Sequence, residues 1–392
     1  MDITTFQMAD CLYTGFGAIE KIVEEIGANN LKKPLIVTDK GVIKAGIPAT
    51  IEERLKGAGI QYALFDGVVP NPTDVCVHEC YATYKKSHCD CIIAIGGGSA
   101  MDCAKGCGVL THGSEPINFY EGVNKMLGPL PFYFAVPTTA GTGSESTHFA
   151  VITTTKEEHP RKMVLYDVRM LPNVAIIDPG LMLGLPSFIT ASTGCDALTH
   201  AVESYISLGA NEYTKGVAIH AVRLIGQYLR RAVANGNDKQ AREKMAYAQT
   251  MAGIAFSNSG VGSVHALAHP LSSFYNIAHG DANSLMLPYV MKYCQIACLT
   301  ALGEIGQALG VDTSGMNAIQ ASDAAIEAII RLTSDVNIPP TLTAMAKARS
   351  IKINKKDIKA MATDAMKDIC TSFNPRTPTL EDYMALYEEA WG

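Results

Sequence analysis

The sequence predicts an α/β domain followed by an all-helical domain, and three observations support this prediction. In the first half, short apolar runs rich in β-branched residues alternate with helical patterns. After Pro186, helix-forming sequence dominates and strand-like alternation does not return. No low-complexity linker separates the halves, so we expect them to pack closely with a cleft between them. The predicted domains are residues 1–184 and 185–392.

Five apolar runs of the first half are predicted to be strands of one parallel sheet. They are continuous rather than alternating, which is typical of strands that are buried on both faces. Helical patterns at residues 19–26 and 47–58 lie between the early runs, so a Rossmann-like sheet covered by helices is expected. The predicted strands are residues 35–38, 61–65, 91–95, 132–136 and 174–177. The predicted helices of the second half include residues 194–206, 212–235, 238–256 and 299–309.

Composition and charge exclude several classes of protein. The chain has 392 residues, with 32 Lys and Arg against 38 Asp and Glu, and it has no run of five like charges. This acidic balance argues against nucleic-acid binding. No apolar stretch of about 20 residues predicts a membrane helix, and the first residues do not resemble a secretory signal. The eleven cysteines contain no CxxC motif and indicate reduced thiols, so we expect a cytoplasmic protein without nucleic-acid or membrane partners.

A glycine-rich turn follows the third predicted strand. The segment IIAIGGGSAMDCA places three glycines and a serine between that strand and a helix. Adjacent glycines allow a ligand to approach the backbone, and a helix N-terminus adds positive potential, so a pyrophosphate is the expected ligand. The motif is not GxGxxG, and glycine turns between strand and helix also occur without a ligand. The turn alone leaves both interpretations open.

A second turn, VPTTAGTGS, follows the fourth predicted strand. Its hydroxyl and amide groups can bind a phosphate, a ribose or a nicotinamide amide. Open parallel sheets bind ligands at the carboxyl ends of their strands, where both turns lie. Asp39, at the end of the first predicted strand, can accept the 2′-hydroxyl of an adenosine ribose and would repel a 2′-phosphate, which favours NAD over NADP. An ordinary Asp-Lys-Gly turn is the alternative interpretation of Asp39.

One carboxylate and several imidazoles form the strongest local signal. Asp196 and His200 are four residues apart in a helical pattern and so share one face. His265, His269 and His279 fall within residues 245–280, a stretch without Asp, Glu, Lys or Arg. A carboxylate with three imidazoles and no thiolate suits Fe(II) or Zn(II) rather than Ca or Mg. His265 and His269 are also four residues apart, so spacing leaves open which of them is a ligand, and any single histidine can instead be a hydrogen-bonded core residue.

Five segments together resemble the iron-containing (group III) alcohol dehydrogenase family. They are IGGGSAMDCAKG, VPTTAGTGSE, PSFITASTGCDALTHAVESYIS, SNSGVGSVHALAHPLSSFYNIAHG and NPRTPTLEDYMALYEEAW, and they span nearly the whole chain. The similarity is closest to the branch that holds lactaldehyde reductase, 1,3-propanediol dehydrogenase and NAD-dependent methanol dehydrogenase. The resemblance implies a dehydroquinate synthase-like fold: an N-terminal dinucleotide-binding domain and a C-terminal helical metal-binding domain, with the site between them.

The resemblance also implies roles for individual residues. The metal ligands would be Asp196, His200, His265 and His279. His269 would stay unligated beside the nicotinamide and the substrate, as a proton-relay or positioning residue. The NAD contacts would be Asp39, Asn71, Gly97, Gly98, Ser99, Asp102, Thr138, Thr139, Thr142 and Lys162. The substrate pocket would contain His148, Phe149, Phe256 and Cys370.

The implied activity is that of an NAD(H)-linked, iron-dependent alcohol dehydrogenase or aldehyde reductase, with Zn(II) as an alternative metal. The substrate would be a short primary alcohol, a diol or a small functionalised aldehyde of the propanediol, lactaldehyde or sulfoacetaldehyde type. Members of the family are commonly dimers, so a homodimer or a higher homo-oligomer is expected. A glycerol dehydrogenase and a dehydroquinate-synthase-like lyase are alternatives, although the lyase family uses Glu and two His as ligands. A non-enzymatic metal-dependent assembly protein would require the cofactor turns to be vestigial.

Overall fold

A computed structural model describes residues 3–155 and 160–392 and confirms the predicted fold class. The chain forms two compact units. The first is the α/β unit Gln7–Leu183, and the second is the helical unit Gly184–Gly392, which the described residues before Gln7 join. The domain limits 1–184 and 185–392 remain a prediction from the sequence.

The α/β unit is built on a six-stranded parallel sheet with the strand order β1-β9-β6-β4-β2-β3. A smaller three-stranded sheet has the order β5-β8-β7. In chain order the strands are β1 Cys11–Thr14, β2 Pro34–Val37, β3 Ala63–Phe65, β4 Cys91–Gly96, β5 Gly122–Val123, β6 Phe132–Pro137, β7 Phe149–Thr153, β8 Lys162–Tyr166 and β9 Val174–Ile177. All five predicted strands are therefore present, although β3 begins at Ala63 rather than at Gln61.

Both faces of the large sheet are buried. Successive residues of a strand point to opposite faces. Ile92 and Ala94 accordingly pack in one hydrophobic cluster, while Ile93 and Ile95 pack in another. The helices of this unit are α1 Lys21–Ala28, α2 Lys40–Lys44, α3 Ile47–Gly57, α4 Asp74–Lys86 and α5 Gly98–Val109. The continuous apolar runs are explained by this burial on two sides.

Four strands were missed by the sequence analysis, and the physical reasons differ. Strand β1 is a short edge strand with partly exposed side chains. Strands β7 and β8 pair in an antiparallel arrangement, and buried and partly exposed side chains alternate along both. Such alternation is typical of a half-buried sheet and differs from the continuous apolar runs that predict strands buried on both faces. Strand β5 has only two residues, too few to give a pattern.

The helical unit contains ten α-helices among its described residues, and no strand is found there. They are α6 Ser187–Ile206, α7 Glu212–Ala234, α8 Lys239–Ser259, α9 Ser263–Tyr275, α10 His279–Cys294, α11 Leu299–Ala308, α12 Ala318–Asp335, α13 Leu342–Arg349, α14 Ile358–Lys367 and α15 Leu380–Trp391. Helix α6 begins seven residues earlier than the predicted start at Gly194, directly after Pro186. Within the described ranges, no helix is long and apolar enough to cross a membrane.

The strand order identifies the place where the α/β unit can bind a ligand. Strands β2 and β3 extend the sheet to one side, and β4 then returns to the opposite side of β2. Open parallel sheets bind ligands at such a switch point, beyond the carboxyl ends of the strands. Asp39 follows β2, and the glycine-rich turn follows β4. Both sequence-predicted features therefore lie at this position.

Candidate functional site

Four of the predicted metal-site residues lie together in the helical unit. Helix α6 carries Asp196 and His200, α9 carries His265, and α10 begins with His279. One potential ligand atom of each side chain lies within 4.8 Å of those of the other three. The His265 ring centroid is 4.7 Å from that of His200 and 5.3 Å from that of His279. The first three residues are buried, and the His279 side chain is 31% exposed.

Small residues allow the helices that carry this cluster to approach each other. A Cβ atom built on Gly280 would lie 2.6 Å from the carbonyl oxygen of Ser192, so the start of α10 lies directly against α6. The same turn of α10 is anchored from the other side, because Asp281 accepts two hydrogen bonds from the Arg349 guanidinium. Glycine at 280 and the ion pair at 281 thus bring His279 towards the α6 ligands.

Glu203 is a close partner of the cluster that was not predicted from the sequence. Its Oε2 lies 2.5 Å from Nδ1 of His265, and its Oε1 accepts the backbone N–H of Val264 at 2.7 Å. A carboxylate is the usual outer partner of a metal-bound histidine. At Nδ1 it accepts the ring hydrogen and leaves the lone pair of Nε2 available for a metal. Glu203 lies one turn after His200 on α6. Its helical spacing from Asp196 and His200 was the signal in the sequence that could have revealed it.

The electrostatics of the cluster fit a divalent cation. Burial raises the pKa of Asp196 to about 7, with Asn283 opposing and Asp281 adding to this shift. Burial also raises the pKa of Glu203 to about 8, and burial and the neighbouring imidazoles hold the pKa of His265 well below its usual range. Ionised carboxylates are therefore disfavoured here unless a positive charge is close. A cation bound by one carboxylate oxygen and three neutral imidazoles supplies that charge, and this donor set suits Fe(II) or Zn(II).

Asn283 is a second missed residue. Its amide nitrogen lies 2.7 Å from Oδ1 of Asp196, 3.0 Å from Nε2 of His265 and 3.1 Å from Nε2 of His279. Three of the four candidate ligand atoms therefore converge on one small region. Asn283 is fully buried, and in the part of the chain that the structure describes its Oδ1 has no hydrogen-bond partner. Its position four residues after His279 on one helix was the signal that could have revealed it.

His269 lies beside the cluster and has a different polar partner. Its ring stacks on that of His279, with centroids 5.4 Å apart and planes inclined by 15°. Its Nδ1 lies 2.6 Å from Oδ2 of Asp368. His265 and His269 both have a carboxylate at Nδ1, and they differ in position, because a ligand atom of His265 lies with those of Asp196, His200 and His279 while His269 groups with Asp368 and Cys370.

Two of the predicted substrate-pocket residues, Phe256 and Cys370, lie close to these histidines. The ring of Phe256 stacks on His200 with centroids 4.2 Å apart and planes inclined by 11°. Cys370 is buried, and its backbone N–H donates to Oδ1 of Asp368. Burial and the neighbouring carboxylate raise the pKa of the Cys370 thiol well above its usual range, so this side chain is a neutral thiol. The other predicted pocket residues, His148 and Phe149, belong to the α/β unit.

The two predicted cofactor turns of the α/β unit lie against each other. The first runs from Gly97, the cap of α5, to Ser99 in the first turn of that helix, and the second contains Thr138, Thr139 and Thr142 after β6. A Cβ atom on Gly98 would lie 3.0 Å from the Thr142 side chain, so glycine permits this contact. Within the described ranges, Oγ1 of Thr139 is buried without a hydrogen-bond partner. A buried hydroxyl of this kind fits a bound polar ligand such as a dinucleotide.

Asp39 caps a helix and lies next to the end of β4. Its Oδ1 accepts the backbone N–H groups of Gly41 and Val42 and so caps α2, as in an ordinary turn. Its Oδ2 lies 3.6 Å from the position of a Cβ atom on Gly96, at the end of β4. The cap therefore holds the carboxylate at the switch point of the sheet, where a ribose hydroxyl is expected.

Partly buried hydrogen bonds involve other predicted cofactor residues. Lys162 Nζ donates to Asn71 Oδ1 at 2.5 Å, and the Asn71 backbone N–H donates to Oγ of Ser99 at 3.3 Å. Asp102 accepts the Ser144 hydroxyl at 2.9 Å. Burial lowers the pKa of Lys162 to about 8, against the opposing charge of Asp102. Burial raises the pKa of Asp102. Its hydrogen bond with Ser144 anchors the end of the second turn to α5.

Lys105 was missed, although it lies in the quoted glycine-rich segment. It is fully buried, and its ammonium donates to oxygen atoms of Ser144, Thr147 and Phe149 at 2.8 to 3.2 Å. A buried ammonium is costly unless oxygen atoms surround it, and here they come from the segment that follows the second cofactor turn. Lys105 therefore ties α5 to that segment. Its spacing of three residues from Asp102 was the available signal.

His148 is buried in an aromatic environment. Its ring centroid lies 4.5 Å from that of Tyr166 in an edge-to-face contact. Burial, and secondly the Lys105 charge, lower the pKa of His148 to about 4. The imidazole is therefore neutral near pH 7 and offers hydrogen bonding without positive charge. The common pocket predicted for His148, Phe149, Phe256 and Cys370 remains a prediction, because the two pairs belong to different units.

Comparisons with known proteins match the chain to two family models. Residues 10–179 match the family model described as iron-containing alcohol dehydrogenase. Residues 190–391 match the model described as Fe-containing alcohol dehydrogenase family, C-terminal. The two matches cover the α/β unit and the helical unit in turn.

Individual relatives match over nearly their whole length. Lactaldehyde reductase of Escherichia coli K12 is 42% identical over 96% of this chain and 97% of its own length. NAD-dependent methanol dehydrogenase of Bacillus methanolicus is 38% identical over 99% of this chain and all of its own. A crystal structure of 1,3-propanediol oxidoreductase superposes with a TM-score of 0.95, at 41% identity and with both chains fully covered.

Proposed function

The chain belongs to the iron-containing alcohol dehydrogenase family, and from this premise we propose that it interconverts a short primary alcohol or diol and its aldehyde with NAD(H). The observation that carries the proposal is the cluster of Asp196, His200, His265 and His279, whose ligand atoms lie within 4.8 Å of one another. Membership of the family makes the chain an oxidoreductase. The substrate, the cofactor contacts and the metal ligands are the proposed part.

The proposed metal is Fe(II), with Zn(II) as an alternative that the same donors accept. When bound, the metal supplies Lewis acidity to the substrate oxygen, and NAD(H) exchanges a hydride with the substrate carbon. Asp196 and the three imidazoles are the ligands. Glu203 keeps the hydrogen of His265 on Nδ1, so that Nε2 is available as a ligand.

His269 is the proposed carrier of the alcohol proton. It stacks on His279 and is only 12% exposed, so it stands beside the candidate ligands and retains access to solvent. A neutral imidazole can accept the hydroxyl proton during oxidation and return a proton during reduction. This role requires the ring to present one nitrogen lone pair to the reacting oxygen.

The proposed cofactor is NAD(H) rather than NADP(H). Gly97, Gly98 and Ser99 provide backbone and hydroxyl donors for the pyrophosphate at the N-terminus of α5. Thr138, Thr139 and Thr142 contact the cofactor from the adjacent turn, together with Asn71, Asp102 and Lys162. The Asp39 carboxylate accepts a ribose hydroxyl and repels a 2′-phosphate. The methanol dehydrogenase relative, which is named as NAD-dependent, supports this choice.

A small uncharged aldehyde is the favoured substrate class. His148 is neutral near pH 7, and Cys370 is a neutral thiol. The aromatic rings of Phe149 and Phe256 add apolar surface. None of these four side chains carries a fixed positive charge that could pair with a sulfonate, so propanediol- and lactaldehyde-type substrates are favoured over the sulfoacetaldehyde type. The names of the matched relatives, lactaldehyde reductase and 1,3-propanediol oxidoreductase, support the same class.

A cytoplasmic location and a homodimer or higher homo-oligomer complete the proposal. The reduced, largely buried cysteines are compatible with a reducing compartment. Sedimentation velocity of the purified protein will give the oligomer size.

The experiment is NADH oxidation by anaerobically purified protein reconstituted with Fe(II) and, in parallel, with Zn(II). The panel of aldehydes contains propanal, 3-hydroxypropanal, lactaldehyde, glycolaldehyde, formaldehyde and sulfoacetaldehyde. We expect rapid turnover of one or two uncharged aldehydes, and none by Asp196→Ala. Absence of turnover with every aldehyde, despite bound metal and bound NADH, contradicts the proposal, and preference for sulfoacetaldehyde contradicts the substrate class.

A further inference from the structure

Asp368 is a partner of His269 that no sequence motif indicates. Its Oδ2 lies 2.6 Å from Nδ1 of His269, although the two residues are 99 positions apart. Asp368 follows the last residue of α14 and precedes a short 3-10 helix, Ile369–Phe373. The side chains of His269 and Asp368 are only 12% and 16% exposed, so little solvent competes with their hydrogen bond.

The two oxygens of Asp368 have different partners, and this fixes the carboxylate. Oδ1 accepts the backbone N–H of Cys370 at 2.9 Å and caps the 3-10 helix. Rotation of the side chain would break this cap, so Oδ2 stays directed towards His269. The carboxylate is thus a fixed acceptor rather than a mobile surface charge.

The imidazole ring is held from the other side as well. His269 stacks on His279 and meets His265 edge to face, with centroids 6.1 Å apart and planes inclined by 73°. Both oxygens of Asp368 face nitrogen donors, Nδ1 of His269 and the backbone N–H of Cys370, and hydrogen bonds to a carboxylate favour its ionised form. An ionised acceptor at Nδ1 places the ring hydrogen on Nδ1 and the lone pair on Nε2.

We propose that Asp368 is a positioning residue for the alcohol–aldehyde reaction, because it holds the His269 ring with its hydrogen on Nδ1 and its lone pair on Nε2. The inference rests on the proposed function and deepens it by naming the nitrogen that carries the proton. During oxidation Nε2 accepts the hydroxyl proton of the substrate, and the resulting imidazolium releases it to solvent. During reduction the same atom returns a proton.

A metal site is the alternative for this group, because ligand atoms of His269, Asp368 and Cys370 also lie within 4.8 Å of one another. Two observations favour the hydrogen-bonded pair. The distance of 2.6 Å is that of a charge-assisted hydrogen bond, which leaves no room for a cation between the two atoms. The other carboxylate oxygen, Oδ1, already accepts the backbone N–H of Cys370 as the cap of the 3-10 helix.

The test compares Asp368→Asn with wild type in the Zn(II)-loaded protein. Asparagine has one carbonyl oxygen for two donors. If that oxygen keeps the cap on Cys370, the amide NH₂ faces Nδ1 and selects the opposite ring tautomer. We expect kcat to fall about 10²- to 10⁴-fold, with KM for the aldehyde changed less than about threefold. Long-range ¹H–¹⁵N spectra of ¹⁵N-histidine-labelled protein should show hydrogen on Nδ1 of His269 in wild type and on Nε2 in the variant.

Two further variants are controls for structural damage. Asp364→Asn makes the same chemical change on α14 at an exposed residue paired with Lys367, and it should keep wild-type kcat and the wild-type His269 signals. Asp368→Glu restores an acceptor, so it should recover the wild-type tautomer and part of kcat even if Asp368→Asn folds poorly. His269→Gln identifies the His269 signals by their disappearance.

The outcomes separate this inference from the proposed function. Wild-type kcat in Asp368→Asn, or hydrogen on Nε2 of His269 in the wild-type protein, overturns the positioning role. A reduced kcat with an unchanged tautomer overturns it too, because the loss would then be structural. If the wild-type protein reduces no aldehyde, the proposed function fails, while the spectra still report whether Asp368 sets the tautomer.

Discussion

The candidate metal site is built from side chains, whereas the two candidate cofactor turns are built mainly from backbone. In the helical unit, the site consists of buried side chains on α6, α9 and α10, and each needs a polar partner. In the α/β unit, the site consists of backbone at the ends of β2, β4 and β6, where glycines let two turns meet. The first site depends on which side chains are present, and the second depends on where a side chain is absent.

The difference extends to how each unit stabilises buried charge. The helical cluster holds Asp196 and Glu203, whose pKa values burial raises to about 7 and about 8. The α/β unit instead surrounds the Lys105 ammonium with five oxygen contacts from its own chain. A bound cation is therefore expected to stabilise the helical unit, whereas the Lys105 ammonium already has oxygen partners within the α/β unit.

The largest expected effect comes from removing the carboxylate ligand. Asp196→Ala should lose its metal and lower kcat/KM by at least about 10³-fold, because Lewis-acid stabilisation is worth several kcal/mol. NADH affinity, measured by fluorescence titration, should stay within about threefold of wild type, since the cofactor turns belong to the other unit. Retention of metal, measured by elemental analysis, would show that Asp196 is not a ligand.

The reciprocal experiment fills the space between the cofactor turns. Gly98→Val places a branched side chain where even a Cβ lies 3.0 Å from Thr142. Overpacking costs about 1–3 kcal/mol, so NADH affinity should fall about 10- to 100-fold while metal content stays at the wild-type value. Gly27→Val is the matched control, because a Cβ there meets no atom within 4 Å. Loss of metal together with NADH affinity would show that the two sites are not separable.

A smaller effect is expected from the outer partner of His265. In Glu203→Gln, the amide NH₂ can face Nδ1 and move the ring hydrogen to Nε2, the ligand atom. Metal affinity, measured by competition with a chelator, should fall about 10- to 100-fold. Glu389→Gln, at a residue that is 48% exposed, makes the same change on the surface and should keep wild-type affinity. Unchanged affinity in Glu203→Gln would remove Glu203 from the metal site.

The smallest effect concerns a histidine of the α/β unit. The pKa of His148 is about 4 in the folded protein, below its ordinary value of 6.5. Between these two pH values His148 is protonated in the unfolded chain and neutral in the folded chain. The free energy of unfolding therefore declines as the pH falls from about 6.5 towards 4. From about pH 7.5 to pH 5, this histidine should cost wild type about 2 kcal/mol of unfolding free energy.

His148→Phe keeps an aromatic ring beside Tyr166 and removes this titration. Urea unfolding of chelator-treated protein at both pH values measures the difference, without a contribution from bound metal. His220→Phe, at an exposed position of α7, controls for the replacement itself. An equal loss of stability in wild type and His148→Phe would place the His148 ring in contact with solvent.

The strands and helices could be predicted where local sequence patterns indicate burial or a helix cap. Strand β9 and the start of α7 at Glu212 coincide with the predicted limits, because a continuous apolar run and an Asn cap are local signals. The β7–β8 pair was missed because buried and partly exposed side chains alternate along both strands, so neither strand gives a continuous apolar run. The missed site residues have partners far away in the sequence. His265 and Glu203 are 62 positions apart, and Asp196 and Asn283 are 87 apart.

The sequence by itself determined the two-part architecture, the glycine turn after a buried strand and the shared helix face of Asp196 and His200. It left His265 and His269 equivalent, because two histidines four residues apart on one helix have the same periodicity. The tertiary structure separates them, because a ligand atom of His265 lies within 4.8 Å of those of Asp196, His200 and His279, whereas His269 groups with Asp368 and Cys370. The physical reason is that periodicity gives only the face of a helix on which a side chain lies, whereas the packing of α6, α9 and α10 sets which side chain of that face meets the other donors.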